Sequence, residues 1–476
     1  MQFDSYIYAL FLPLVFAGYW ILRNKLLWQN LFLLAASYLF YGWWDWRFLG
    51  LILITSATTF ITGLLIKSDQ STRSKAWLAL NLIINLGILA TFKYFNFFKE
   101  SFTDILRLFG ANPDWPTISI LLPVGISFYT LQAISYSFDI YNGKTQPTRN
   151  VVAFFVYIAF FPQLVAGPIE RARNLLPQFL KKKNFDYYNA VIGMRQILWG
   201  LVKKLVIADN LAGYVDNLLY HPSVMSASSI IMAAILFAFQ IYADFSGYSD
   251  IAIGSARLFN IKLIANFRYP FFSRNMKELW QRWHISLMTW LREYIYFPLG
   301  GSRRGKWRTC LNIMIVFAIS GLWHGADWTF VIWGTVNGLM LLPFVFWGSK
   351  NEVRDSGIGN LKLRIVHCAL NILKCLFTFL IFALIFLSFR SPNISHLQEC
   401  LTTLSHGSYL TVPLGISALF YIVPFVVVEL LGRKQEFPIM TLKMPTIARW
   451  AIYWALLFII AFFGAKADIQ YIYFQF

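Results

Sequence analysis

The sequence predicts an all-α, polytopic integral membrane protein, a bundle of about 11–12 transmembrane helices with re-entrant or interfacial helices among them. Three observations predict it. Of 476 residues, 58% are hydrophobic and 13% charged, and the mean hydropathy is +0.56. Water-soluble domains carry about twice that share of charge. Runs such as YALFLPLVFAGYWIL, LFLLAASYLFYGWW and WALLFIIAFFG approach or exceed the ~20 helical residues that cross ~30 Å of hydrocarbon. These runs are long and unpatterned, whereas a transmembrane barrel needs alternating segments of about ten residues.

Taken in order, the expected spans lie near 6–22, 28–44, 47–66, 76–97, 118–141, 150–167, 228–250, 309–325, 328–347, 366–389, 409–431 and 447–466. The first begins behind Met1-Gln2-Phe3-Asp4, with neither a basic leader nor a small-x-small cleavage site, and reads as a retained helix. The formal net charge of +19 would suggest nucleic acid in a soluble chain, but here the basic residues sit in short connections. Arg23 and Lys25, then Lys67, Arg73 and Lys75, then Lys144 and Arg149 occupy alternate connections. The positive-inside rule makes those loops cytoplasmic and the N-terminus extracytoplasmic. Strict alternation would then export Arg171, Arg173 and Lys181 to Lys183, so a re-entrant segment is expected where Gly167-Pro168 and Pro177 interrupt the pattern.

The stretches 189–208 and 262–300 mix charges with bulky apolar residues and read as half-buried or interfacial helices. The largest polar connections are 349–364 and 391–408. The expected organisation is one membrane-embedded domain over 1–476, with N-terminal helices (1–116), a motif-bearing core (117–347) and C-terminal helices (348–476). Cys310, Cys368, Cys375 and Cys400 have neither zinc nor redox spacing.

Chemistry concentrates on two histidines. His324 lies in IVFAISGLWHGADWTFVIWG, an ionisable group at bilayer depth, where such groups mark a substrate route, a relay or a catalytic centre. Gly321 and Gly325 permit close helix packing beside it, and Asp327 is placed to orient its imidazole. The segment Asn275 to Tyr294 reads as one amphipathic helix with Trp280, Trp283, His284, Leu287, Leu291 and Tyr294 on one side and Arg282, Ser286, Thr289 and Glu293 on the other. Upstream, Asp244 and Asp250 fall within an apolar run and demand partners, for which Arg257, Arg268 or Arg282 are the expected choices. The basic cluster Arg303, Arg304, Lys306 and Arg308 reads as a topogenic loop or as a surface for a phosphorylated donor. No phosphate-binding glycine loop, dinucleotide fingerprint, serine elbow or metal-ligand spacing is present.

Six segments resemble the membrane-bound O-acyltransferase (MBOAT) family, in particular its bacterial alginate O-acetyltransferase-like branch. They are PVGISFYTLQAISYSFDIY (123–141), FFPQLVAGPIER (160–171), QIYADFSGYSDIAIGSARLF (240–259), NFRYPFFSRNMKELWQRWHISLMTWLREYIYFPLGG (266–301), GLWHGADWTFVIWGTVNGL (321–339) and IYFQF (472–476). The resemblance implies helices around a central tunnel, with catalytic His324 at its centre and His284 on the opposite wall. Asp244, Asp250, Asn266, Arg282, Trp283 and Trp323 are the substrate-binding or supporting candidates. It further implies acetyl-CoA as donor, no bound cofactor or metal, and an extracytoplasmic polysaccharide acceptor of the alginate, peptidoglycan or cellulose type. A partner protein with a serine nucleophile is expected outside the inner membrane. Histidine suits such chemistry because its ordinary pKa of about 6.5 lets it take a hydroxyl proton near neutrality. An acyl-imidazole on His324 is the other route. The competing reading from another class is a proton-coupled transporter or flippase of a polysaccharide precursor, with His324, Asp244 and Asp250 as its relay.

Overall fold

A computed structural model describes residues 1–69, 71–111, 121–165, 167–220, 226–347, 361–411, 414–465 and 469–474. The described residues contain helices and connections and no strand. Among the described residues, seven helical segments are long and apolar enough to cross a membrane: Trp46–Leu65, Thr72–Leu108, Ala227–Leu258, Trp328–Trp347, Ile365–Arg390, Gly415–Gly432 and Thr446–Phe463. Four further expected spans match shorter or more polar helices, namely α1 (Tyr6–Ile21), α2 (Leu26–Gly42), α6 (Ile126–Tyr141) and α15, which opens on Lys306 and Arg308. The beginning of the expected 118–141 span, most of the polar connection 349–364 and the last two residues of IYFQF lie outside the described residues.

The chain forms two compact units. One comprises Met1–Ile197 with Ser249–Ile264 and contains α1, α2, α3 (Leu49–Leu65), α4 (Thr72–Leu89), α5 (Phe95–Leu108), α6, α7 (Val151–Ala159), α8 (Phe161–Leu164), α9 (Ala172–Phe179) and most of α10 (Tyr187–Leu201). Its core is aromatic. Phe11 meets Phe161 edge-on at 5.2 Å, and the Tyr8 and Ser255 hydroxyls share a hydrogen bond of 2.7 Å. Where helices pack without a solvent-driven hydrophobic gain, polar side chains act as glue. Asn81 donates to Thr59 and Thr62 at 3.1 and 3.0 Å, tying α4 to α3.

The expected span 150–167 is not continuous. It breaks at Phe160, and the nine residues of α7 rise only ~14 Å, too short to cross. Ala153 through Leu164 are nevertheless buried apart from the half-buried Phe155, so this irregular backbone is enclosed by protein, as membrane depth requires. Pro177, by contrast, interrupts nothing; it sits inside α9. The break comes from the Phe160 turn and from Gly167-Pro168.

The other unit comprises Leu198–Tyr248 with Ala265–Phe476. A π-helical turn (Val202–Ala208) continues α10 into α11 (Asp209–Tyr220). α12 (Ala227–Leu258) is the buried helix, with 83% of its span enclosed, whereas the span Thr446–Phe463 is 0% buried and faces outward along its length. Then come α13 (Met276–Arg282), α14 (Ile285–Leu291), α15 (Lys306–His324), α16 (Trp328–Leu339), α17 (Pro343–Trp347), α18 (Leu361–Arg390), α19 (Ile394–His406), α20 (Leu419–Gly432) and α21 (Thr446–Phe463).

Candidate active site

His324 is the last residue of α15, and its place is set by how closely α15 meets α16. A Cβ added at Gly321 would lie 2.2 Å from the Phe330 carbonyl oxygen, and one at Gly334 would lie 2.2 Å from that of Phe317. Only hydrogen fits at these crossing points, so the two backbones touch. The contact draws α16 over His324. The imidazole is 4% exposed and meets Trp323 and Trp333 edge-on, each at 5.0 Å, and Phe389 at 5.5 Å. Asp327 is occupied as the N-cap of α16, accepting from the Thr329 backbone N–H at 2.8 Å. Trp333 Nε1 and Ser320 Oγ are buried with no hydrogen-bond partner among the described residues.

His284 stands on a turn, not on the single helix expected over 275–294. α13 stops at Arg282, Trp283 is extended, and His284 takes a left-handed backbone at φ 42° and ψ 51° before α14 begins. That conformation is uncommon outside glycine and asparagine. Long-range bonds impose it. The Ile285 N–H donates to the Asn266 carbonyl at 2.8 Å, Ser286 Oγ donates to Asn266 Oδ1 at 2.8 Å, and the Arg268 N–H donates to the Arg282 carbonyl at 2.9 Å. The 266–268 strand of chain therefore clamps both sides of the turn. The expected apolar side is nonetheless buried throughout, from Trp280 to Tyr294, and Ser286, assigned to the opposite side, is buried too.

The turn aims the His284 ring at His324. The ring centroids lie 6.1 Å apart, with Trp323 5.8 Å from His284 and Phe245 edge-on at 4.6 Å. Burial pushes the His284 imidazole down to about 3, so it is neutral at physiological pH.

The structure brings Asn266, His284, Trp323 and His324 together. Asn266 acts through the turn that holds His284. Trp283 points into packing, with Phe267, Phe382 and Phe386 at 5.1, 5.2 and 5.7 Å. Arg282 pairs with Glu278, which also holds Arg274. Asp250 belongs to the other unit and accepts from Gln196 Nε2 at 2.8 Å.

Asp244 does sit in an ion-pair network, but with a lysine instead of the expected arginines. Lys204 Nζ lies 2.8 Å from Asp209 and 3.0 Å from Asp244, and it donates to the Ile469 carbonyl at 3.0 Å. Asp244 also accepts from the Ile472 N–H at 2.8 Å, and Tyr471 stacks on Tyr248 at 4.2 Å, so the C-terminal segment is fastened to α12. Beside it, Lys203 donates to Ser246 at 2.9 Å, and the Tyr242 hydroxyl donates to both Glu429 oxygens at 3.0 and 2.9 Å. Gly247 makes room for this, since a Cβ there would meet the Gly200 carbonyl at 2.9 Å. Sequence reasoning missed Lys203, Lys204, Glu429 and Trp333. For the three charged residues the signal was available, because each is ionisable within an apolar run.

The comparisons with known proteins agree with this architecture. The family model described as MBOAT, membrane-bound O-acyltransferase family, matches residues 148–389, which include both histidines. A probable alginate O-acetylase (AlgI) of Azotobacter vinelandii is 40% identical over 344 residues, 72% of this chain and 68% of the relative. A peptidoglycan O-acetyltransferase of Helicobacter pylori is 38% identical over 361 residues, covering 70% and 68%. A teichoic acid D-alanyltransferase of Bacillus subtilis is 25% identical over 257 residues, covering 50% and 63%. With a matching family model and relatives of this identity and coverage, the transporter reading is set aside: the chain belongs to the membrane-bound O-acyltransferase family and is a multi-pass membrane acyltransferase.

Proposed function

We propose that this chain transfers acetyl groups from cytoplasmic acetyl-CoA towards an extracytoplasmic polysaccharide, with His324 as general base. The observation that carries the reading is the facing pair of buried imidazoles, 6.1 Å apart inside an aromatic enclosure. One small acyl group can touch both rings at that separation, and the enclosure keeps water from competing. His324 takes the proton of the attacking hydroxyl, whose oxygen bonds to the thioester carbon. The C–S bond then breaks, and the thiolate of coenzyme A receives the proton back. Neutral His284 donates or accepts a hydrogen bond and orients the acyl group. The buried Trp333 indole N–H, lacking a described protein partner, is the donor assigned to the carbonyl oxygen as it gains charge.

The named activities of the relatives favour an envelope polymer as final acceptor, of the alginate or peptidoglycan kind. The alternating basic loops favour an inner-membrane protein whose N-terminus is outside. An extracytoplasmic partner with a serine nucleophile receives the acetyl and places it on sugar. The test follows labelled acetyl from acetyl-CoA in proteoliposomes with and without that partner. His324→Ala should lower transfer roughly 10²- to 10⁴-fold in protein that still inserts and purifies. Near-normal turnover in that variant, or polymer acetylation by the chain alone, would overturn the corresponding part of the proposal.

A further inference from the structure

A second site lies at the other end of α15. An open cavity of about 430 Å³ is lined by Lys277 of α13, by Ser302, Lys306 and Thr309 at the start of α15, and by Leu341 and Phe344 near α17. Its lining divides by chemistry. Lys277 and Lys306 are exposed cations on one side, and no acidic residue lines the space. Lys277 has no ion pair among the described residues, and Lys306 Nζ makes one long hydrogen bond, 3.4 Å to the Phe346 carbonyl, and lies 5.9 Å from the centre of the Phe346 ring. Ile313, Leu341, Phe344 and Val345 supply the apolar part of the lining. Between Tyr294 and Ala326 the sequence holds Arg303, Arg304, Lys306 and Arg308 and no aspartate or glutamate.

The depth of the cavity is marked by aromatic residues. Trp307 is 81% exposed and Trp347 79% exposed, and both flank it. Exposed tryptophans at the end of an apolar span settle at the headgroup level of a bilayer. Leu341 and Phe344 belong to the span Trp328–Trp347 and continue the apolar wall towards the hydrocarbon. Along α15, Lys306 is 18 residues from His324, ~27 Å at the rise of a helix. The cavity is therefore separate from the histidine pair.

We infer that this cavity is a binding site for an acidic glycerophospholipid, its phosphate held between Lys277 and Lys306 and its acyl chain laid along Ile313, Leu341, Phe344 and Val345. Basic pockets beside membrane spans bind anionic headgroups in this way. A soluble phosphate would satisfy the two cations but leave the apolar wall in water, which is why a phosphate carried on a chain fits better. The inference stands independently of the role given to His324.

The test uses the full chain in phosphatidylcholine nanodiscs containing a minority of phosphatidylglycerol, with retained lipid counted by native mass spectrometry. Lys277→Gln with Lys306→Gln should lower retained phosphatidylglycerol roughly 30-fold, from about fivefold for each basic residue near an anionic surface. Val345→Trp fills the apolar wall, leaves both lysines in place and should also release the lipid; it carries the test if the double variant inserts poorly. Arg23→Gln with Lys75→Gln removes the same charge elsewhere and should retain it. Unchanged retention in the first two variants, or equal loss in the third, would overturn the inference. Displacement of the lipid by coenzyme A or inorganic phosphate would also overturn it, by showing that the cations serve a soluble phosphate.

Discussion

Removing Lys204 should destabilise the unit that carries both histidines more than removing either histidine. Its ammonium lies 2.8 Å from Asp209, 3.0 Å from Asp244 and 3.0 Å from the Ile469 carbonyl, and its side chain is 1% exposed. In Lys204→Met the two carboxylates remain, at most ~5.8 Å apart by the sum of those two distances. At an effective dielectric of about 20 their repulsion is ~3 kcal/mol. Breaking a buried ion pair from one side typically costs about 3–5 kcal/mol, because the remaining charge is left uncompensated. Asp244→Asn should be milder, since Lys204 keeps Asp209 and the amide oxygen still accepts from the Ile472 N–H. In the double variant, Asp244→Asn should recover part of the loss, because only one carboxylate then stays without its cation. The assay is thermal unfolding of the full chain in detergent, paired with chymotrypsin cleavage at Tyr471 as a report on release of the C-terminal segment. A Lys204→Met protein as stable and as resistant as the parent would refute the reasoning. So would a double variant no more stable than the single one.

At His284, Asn should keep more acetyl transfer than Ala or Gln, because it retains a hydrogen-bonding group and tolerates the left-handed backbone at φ 42°; wild-type activity in all three variants in a labelled-acetyl assay would remove His284 from the site. Trp333→Phe keeps the ring packed on His324 and deletes the N–H, so kcat should fall roughly 10²-fold or more with little change in KM; an unchanged kcat would show that the indole only packs. Glu170 is buried, accepting from the Ile264 N–H at 2.6 Å, and burial raises its carboxyl to about 7. Its contribution to stability is full below its ordinary 4.5 and is lost as pH rises through about 7. Glu170→Gln has no such dependence, so between pH 5 and pH 8 unfolding should show the variant gaining on the parent by something on the order of 3 kcal/mol; parallel pH profiles would contradict this.

The spans and His324 were legible because both depend on a local property, the hydropathy of neighbours in sequence. The turn at His284 was not. Nothing between Asn275 and Tyr294 is glycine or proline, and the helical spacing of the apolar residues is genuine. The break is made by Asn266 and Arg268, whose backbone and amide bonds reach the turn from outside the segment. The partner of Asp244 escaped for a similar reason. Downstream arginines up to 38 residues away were favoured, whereas the pairing cation comes from 40 residues upstream, through a π-helical turn that no periodicity announces. Glu429 needed no structure at all. It is an acid inside VPFVVVELLG, and the rule that singled out Asp244 applies to it equally.

The π-helical turn at Val202–Ala208 has a consequence for how this unit tolerates insertions and deletions. A turn closed by i→i+5 bonds holds one residue more than its α-helical counterpart. It absorbs the extra residue within the turn, so Asp209 and the buried stripe of α11 (Leu211, Ala212, Val215, Leu218 and Leu219) face as they would after an uninterrupted α-helix one residue shorter. A substitution within the turn perturbs one contact. Losing a single residue there would let the ladder relax to α geometry and leave α11 facing as it does now, whereas losing one from the α-helical part of α10 would rotate α11 by about 100° against its neighbours.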